Sequence, residues 1–211
     1  MTKLEWALAG TLCMFFAVGF AGHLILATRP LMHGLTPFAL LFTAGVVAVP
    51  LVRERAAGAA LWALAAYTVG FAFEAVGVAT GLIFGPYFYG TVLGPKLFEV
   101  PLIIGLNWAL VILGSVSLTT RFIRQPVAAA AVAGALTAGF DWVLEPVAIS
   151  SGYWTWSTSA IPLRNYVAWF LIAALLAFLY AWRKVSVRSP LPSVALAVQL
   201  VFFALLRLAG P

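Results

Sequence analysis

Asp141 and Glu145 stand four residues apart in an otherwise apolar run, Gly139-Phe140-Asp141-Trp142-Val143-Leu144-Glu145-Pro146. On a helix that spacing puts both carboxyls on one face. A carboxylate in hydrocarbon costs several kcal/mol, so acids inside such a run are functional candidates by default. Two like charges this close in a low dielectric resist joint ionisation, so one holds its proton while the other loses its own. The pair then offers a neutral acid as proton donor and a carboxylate as base. The competing reading is structural, with the pair capping or salt-bridging Lys96 or Arg164 and pinning the chain; Pro146 would loosen the backbone beside it.

Two more acids keep this pair company. Glu74 sits in Phe71-Ala72-Phe73-Glu74-Ala75-Val76-Gly77, and Glu99 follows Lys96-Leu97-Phe98 and precedes Val100-Pro101. Glu74 has only apolar and aromatic neighbours in sequence and suits a proton donor. Gly77, Gly81 and Gly85 recur every four residues, which on a helix is a bare stripe for close approach of another helix. Around these acids lie two aromatic segments. One carries Tyr87, Tyr89 and Lys96, the other Tyr153, Trp154, Trp156, Arg164 and Asn165. Tyr and Trp at a membrane boundary are commonly interface anchors, but their π-faces also stabilise a cation that has no hydrogen bonds to make. Acids walled by aromatic rings are what protonating an alkene and holding the resulting carbocation requires.

The elements that must position these residues are membrane spans. The chain has 211 residues, 64% hydrophobic and 9% charged, with mean hydropathy +1.07, whereas soluble proteins carry about 25% charged residues. A transmembrane helix needs about 20 mainly apolar residues. Apolar runs between Pro, Gly and charge punctuation predict helices over about 5–28, 36–52, 58–84, 99–120, 126–149, 163–182 and 191–209. The expected fold is therefore an all-α integral membrane protein, one polytopic domain over residues 1–211 with about seven spans. Lys3 before the first apolar run has the look of a signal peptide, but the run is longer than such a core and is read as retained.

Lys and Arg number 12 against 6 acids. They read as topology signals, because no loop holds the dense basic run of a nucleic-acid groove. With the N-terminus cytoplasmic, the inner segments hold Lys3, Arg53, Arg55, Arg121, Arg124, Arg183, Lys184 and Arg188, and the outer ones Arg29, Lys96, Arg164 and Arg207. Cytoplasmic loops carry the excess, so this orientation in the cell (inner) membrane is expected, with Glu74, Glu99, Asp141 and Glu145 in the outer half. Cys13 reads as a buried small hydrophobe. No metal is expected, since His23 and His33 with the acids form no standard ligand spacing. A retinal-type photoreceptor needs a lysine in the last span, and residues 191–209 have none. No Gly-rich phosphate loop is present. Proton-coupled transport through buried acids stays open, without a visible inverted repeat.

The joint pattern resembles the integral-membrane carotenoid biosynthesis family that contains the carotenoid 1,2-hydratases of γ-carotene and bisanhydrobacterioruberin type. The motifs are Glu74-x-x-Gly77-x-x-Thr80-Gly81-x-x-Phe84-Gly85-x-Tyr87-x-Tyr89, Leu93-Gly94-Pro95-Lys96-Leu97 with Val100-Pro101-Leu102, Asp141-x-x-x-Glu145-Pro146, Gly152-Tyr153-Trp154-x-Trp156, and Ile161-Pro162-Leu163-x-Asn165 with Trp169. They cover roughly residues 70–170. Ser159-Ala160-Ile161 departs from the Tyr-Gly often found before the Pro-Leu-x-Asn element, which bears on which end group fits. The resemblance implies a hydro-lyase that adds water to the terminal 1,2 double bond of a linear carotenoid end, without a cofactor. Partners would be a lipophilic carotenoid and membrane lipid.

On that reading Asp141 is the general acid, Glu145 its partner or the water base, and Glu74 the third candidate. Lys96, Arg164 and Asn165 orient the carboxylates, while Glu99, Tyr87, Tyr89, Tyr153, Trp154 and Trp156 complete the pocket. An end-group cyclase would begin with the same protonation, and a carotenoid-binding or transport protein would leave the pigment unchanged. Reporter fusions after Arg53 and after Tyr153 are expected on opposite faces of the membrane; both reporters on one face would undo the outer-half clustering of the acids.

Overall fold

The computed structural model describes residues 1–210. Seven helices among them are long and apolar enough to cross a membrane: α1 Lys3–Leu24, α2 Arg29–Arg53, α3 Ala57–Thr80, α4 Leu102–Phe122, α5 Pro126–Ser150, α6 Leu163–Trp182 and α7 Leu191–Ala209. The protein is a multi-pass membrane bundle. Helix starts follow local chemistry. Thr2 and Glu5 form a reciprocal capping box at α1, Gln125 caps α5 through the Ala128 amide, and Pro30, Pro126 and Pro192 occupy first turns, where a missing N–H costs nothing.

Four expected boundaries move. The second span begins at Arg29 rather than 36, because Pro30 sits in its first turn and Pro37 is absorbed inside the helix. The first accordingly ends at Leu24, and the turn between them is tied by Thr28 Oγ1 donating to the Gly22 carbonyl at 2.6 Å and Arg29 Nε to that of His23 at 3.0 Å. The third stops at Thr80 with Gly81 left-handed (φ 66). The fourth starts at Leu102, after Pro101 as N-cap.

The last two shifts correct two expectations. Gly81 and Gly85 lie beyond the helix, so no stripe of three glycines runs along it. Gly77 instead receives the Phe84 ring folded back from the following loop, where an added Cβ would meet Phe84 Cδ2 at 2.5 Å. Glu99 lies in no span. Cys13 is also corrected, being exposed on the outer surface of α1, where apolar surroundings suit a thiol as well as a core does.

The helical expectation holds for the bundle, and the loops add two small antiparallel pairs. Strand β1 (Tyr87–Tyr89) pairs with β4 (Trp154–Trp156) in the register Tyr87↔Trp156 and Tyr89↔Trp154. Strands β2 (Lys96–Leu97) and β3 (Val100–Pro101) form a hairpin turned at Phe98 and Glu99, both with positive φ. The three connections at the opposite end are tied by Glu54, which accepts the Arg188 and Ser189 amides at 2.8 Å each, and by Arg121, which donates to their carbonyls.

Helix α4 is the axis. In its most apolar window 78% of the residues are buried, against 22–44% in the other six, and it packs against α2, α3, α5, α6 and α7. The bundle therefore presents Ile112, Leu113 and Val116 inward and leaves side chains such as Leu61, Leu171 and Val201 facing out, the inverse of a water-soluble surface and normal for lipid.

The β1–β4 ladder continues one residue beyond its strands, with the Gly90 amide donating to the Tyr153 carbonyl at 2.8 Å. A Cβ at Gly90 would overlap the Gly152 carbonyl oxygen, a backbone atom that cannot swing aside. Gly90→Ala is expected to lower stability by about 1–3 kcal/mol, read as loss of heat resistance of the purified protein in detergent, whereas Gly58→Ala, with open space around it, is expected to be neutral or better. A Gly90→Ala protein as heat-resistant as wild type would mean that this close approach does not constrain the loops.

Candidate active site

Asp141 and Glu145 point inward from the last third of α5, and both are buried. Their surroundings differ. Glu145 accepts from the indole N–H of Trp154 at 3.0 Å and of Trp156 at 2.9 Å on Oε2, and from Asn165 Nδ2 at 3.4 Å on Oε1. Asp141 accepts from Asn165 Nδ2 at 2.6 Å on Oδ2, while its buried Oδ1 has no partner among the described residues. Asn165 is therefore the clasp between the two carboxyls. It is placed there because α6 begins at Leu163 with Pro162 as N-cap, which puts Asn165 in the first turn, facing the end of α5.

Glu74, on the last two turns of α3, forms a second station. It accepts from the Tyr87 hydroxyl on Oε2 and from the Trp108 indole at 3.0 Å on Oε1. Burial first, and the adjoining Glu74 second, hold the Tyr87 phenol above its ordinary range, so it stays a donor. The two stations are joined through the β1–β4 register. Tyr87 on Glu74 lies opposite Trp156 on Glu145, with ring centroids 5.0 Å apart, and Tyr89 lies opposite Trp154 at 5.8 Å. Behind Glu74, Trp108 stacks on Trp169 at 3.6 Å and Trp169 on Phe84 at 5.2 Å.

Of the anticipated site residues, Asp141, Glu145, Glu74, Asn165, Tyr87, Tyr89, Trp154 and Trp156 thus converge. Tyr153 lies at the edge, its hydroxyl 2.6 Å from Thr36 Oγ1 on α2. Lys96, Arg164 and Glu99 stay apart from the carboxyl pair. Lys96 donates to the Tyr89 carbonyl at 2.6 Å and steadies β1. Arg164 reaches the Leu82 carbonyl at 3.5 Å. The Glu99 side chain is 82% exposed and 3.9 Å from Lys96, because the tight β2–β3 turn holds it outside the bundle.

Trp108 belongs to the site as well, although its place in the apolar run beside Asn107 does not by itself distinguish it from a packing residue. Thr36 carried no signal in the sequence, and His33, weighed there only as a metal ligand, has its ring 5.4 Å from that of His23 and 6.3 Å from that of Tyr153, a proximity nothing in the spacing announces. No group of three or more metal-ligating side chains occurs among the described residues.

A sequence model of the family described as carotenoid biosynthesis protein matches residues 35–210. The chain belongs to that family. It is also 31% identical over 158 residues to the bisanhydrobacterioruberin hydratase of Haloarcula japonica, a match covering 68% of this chain and 53% of that protein. The chain thus spans about half the length of the curated relative it matches. No solved structure matches. Every residue of the two carboxyl stations falls inside the family-matched segment, and α1 falls outside it.

If the indoles act through the Glu145 carboxylate, a double-mutant cycle of Trp156→Phe with Glu145→Gln should be non-additive. The expected coupling is about 0.5–3 kcal/mol in thermal stability of the purified protein. Additive losses would mean that the Trp156 ring matters only for packing.

Proposed function

We propose that this carotenoid biosynthesis protein is a hydratase that adds water across the terminal 1,2 double bond of an acyclic carotenoid end. The observation that carries the reading is the unequal pair. Glu145 has the three N–H donors that suit a carboxylate, while Asp141 has one donor and a bare, buried Oδ1. An O–H on Oδ1 is free to point at an alkene, because no protein acceptor competes for it.

Three steps follow. The π-electrons of the double bond take the Asp141 proton at C2, which leaves the cation at the tertiary C1 and a carboxylate on Asp141. A water oxygen bonds to C1, and its surplus proton passes to a carboxylate of the pair. One proton is held between Asp141 and Glu145 before and after the cycle, and the product differs from the substrate by one water. No electrons are transferred, so the chemistry is complete without a redox partner.

The rings of Tyr87, Tyr89, Trp154 and Trp156 supply the surface for the cation. An indole already bound through its N–H to a carboxylate is held at a fixed angle, which preorganises that surface instead of leaving it to be ordered during reaction. Glu74 is placed as a positioning group. Through Tyr87 and Trp108 it fixes one wall of the site, and it keeps a third carboxyl near the cation. The relative's name as a hydratase supports this reading, as does the family's role in carotenoid biosynthesis.

The experiment is expression of the chain in lycopene-producing and γ-carotene-producing bacteria, with pigments resolved by chromatography and mass. A new, more polar pigment heavier by one water is expected. A new pigment of unchanged mass would instead indicate cyclisation, and unaltered pigment bound to the protein a carrier. Asp141→Asn, which keeps shape and removes the acid, is expected to cut the hydrated product by about 100-fold or more; product near the wild-type level would remove Asp141 from the role of acid.

A further inference from the structure

An apolar cavity of about 150 Å³ opens between α1, α2 and α7, lined by Phe16, Gly19, Leu35, Tyr153 and Phe202 among others. A second, of about 30 Å³, lies next to it and has Thr36, Leu40, Tyr153 and Phe203 as shared walls. The far side of the second is Leu144 and Trp154, the residue before Glu145 and one of its two indole donors. The two cavities are thus consecutive. They run from α1, α2 and α7 inward to the Trp154 indole that donates to Glu145, and the hydrogen bond between Tyr153 and Thr36 at 2.6 Å stands in their common wall. The walls are mostly aliphatic and aromatic, with His23, Thr36, Asn107, Tyr153 and Gln199 as the polar side chains among them, a lining that suits a hydrocarbon chain arriving from lipid.

We infer that this paired cavity is the binding channel for an acyclic polyene, whose end passes the Tyr153–Thr36 contact to reach Glu145 and Asp141, and that α1, which lies outside the family-matched segment, decides which chains fit. The inference deepens the hydratase reading and rests on its placement of the reacting end at the carboxyl pair. The inner cavity holds little more than a water-sized group, so entry of a branched chain end requires Tyr153 to separate from Thr36. Phe16 and Gly19 on α1 set the outer width. At Gly19 an added Cβ would touch only the Phe202 ring, at 3.7 Å, so this position is open and a large side chain there projects into the channel.

Lycopene is the probe, counted by its absorbance per mole of protein purified from a lycopene-producing host. Using Asp141→Asn as the background keeps the pigment from being consumed. That protein is expected to retain lycopene. Adding Gly19→Phe should lower the retained pigment by about tenfold or more, as a loss of roughly 1.4 kcal/mol in binding would. Adding Gly10→Phe, half a helix circumference away with open space around it, should leave it unchanged and controls for folding.

Thr36→Val, which breaks the contact in the common wall and keeps the shape, should speed pigment uptake, because entry no longer has to part that hydrogen bond. Equal retention in the Gly19→Phe and Gly10→Phe proteins would overturn the channel, and so would absence of pigment from the Asp141→Asn protein itself. The two readings fail separately. Hydrated pigment from a Gly19→Phe protein at the wild-type rate keeps the hydratase and discards the channel. Pigment displaced by Gly19→Phe, with no water added by the wild-type chain, keeps the channel and discards the hydratase.

Discussion

Three carboxyl groups buried in a bundle of apolar helices have to find hydrogen-bond donors inside the protein, and everything distinctive in this structure follows from that need. Solvent cannot supply the donors at that depth, and each unsatisfied polar group there costs several kcal/mol. Lysine and arginine are not the donors used. Neutral N–H and O–H groups on aromatic rings do the work at Glu74 and Glu145, with one amide shared by Asp141 and Glu145. Rings chosen as donors also present apolar faces. The same residues that make the acids tolerable therefore build a π-lined site next to them, with no lysine or arginine bonded to the carboxyls.

Supplying those donors requires two loops far apart in sequence to arrive together. The β1–β4 register does this in a few residues, setting Tyr87 against Trp156 and Tyr89 against Trp154. Backbone pairing spares the loops an unsatisfied edge near the membrane. The glycine at position 90 allows the approach, and Lys96, donating to the Tyr89 carbonyl, clamps the first strand from behind. Below the loops, the buried axis of α4 holds α3 and α5 on either side and contributes Trp108 to the first carboxyl station. The Trp108–Trp169–Phe84 stack then ties α4, α6 and the β1 loop into one rigid wall.

The deeply buried carboxyl stations contrast with the sparsely packed α1 and α2. Only 22% of the most apolar window of α1 is buried, and the contact between α2 and the aromatic loops near the cavity rests on Tyr153 meeting Thr36.

The bundle and its acids were legible from residue types alone, because apolar run length, acids in apolar surroundings and the four-residue spacing of Asp141 and Glu145 are local properties that no neighbour in space can cancel. The family motifs were legible for the same reason. Boundaries next to prolines and glycines were not: Pro37 was absorbed into α2, while Gly81 ended α3, and each outcome depends on what packs there. Gly81 turned an expected glycine stripe into a helix end and a socket for Phe84, and Pro101 as N-cap of α4 took Glu99 out of a span.

The choice of donors was equally beyond reach. Lys96 and Arg164 carry charge and stand near the acids in sequence order, yet backbone carbonyls take their hydrogen bonds, while Trp108 and Thr36 gained importance only through helices brought beside them. Sequence by itself determined which polar groups had to be buried, since hydrophobicity along the chain dictates that. Tertiary structure alone decided which partners answer them, because hydrogen bonds act over about 3 Å and only folding brings residues from α3, α4, α6 and the two loops to that distance.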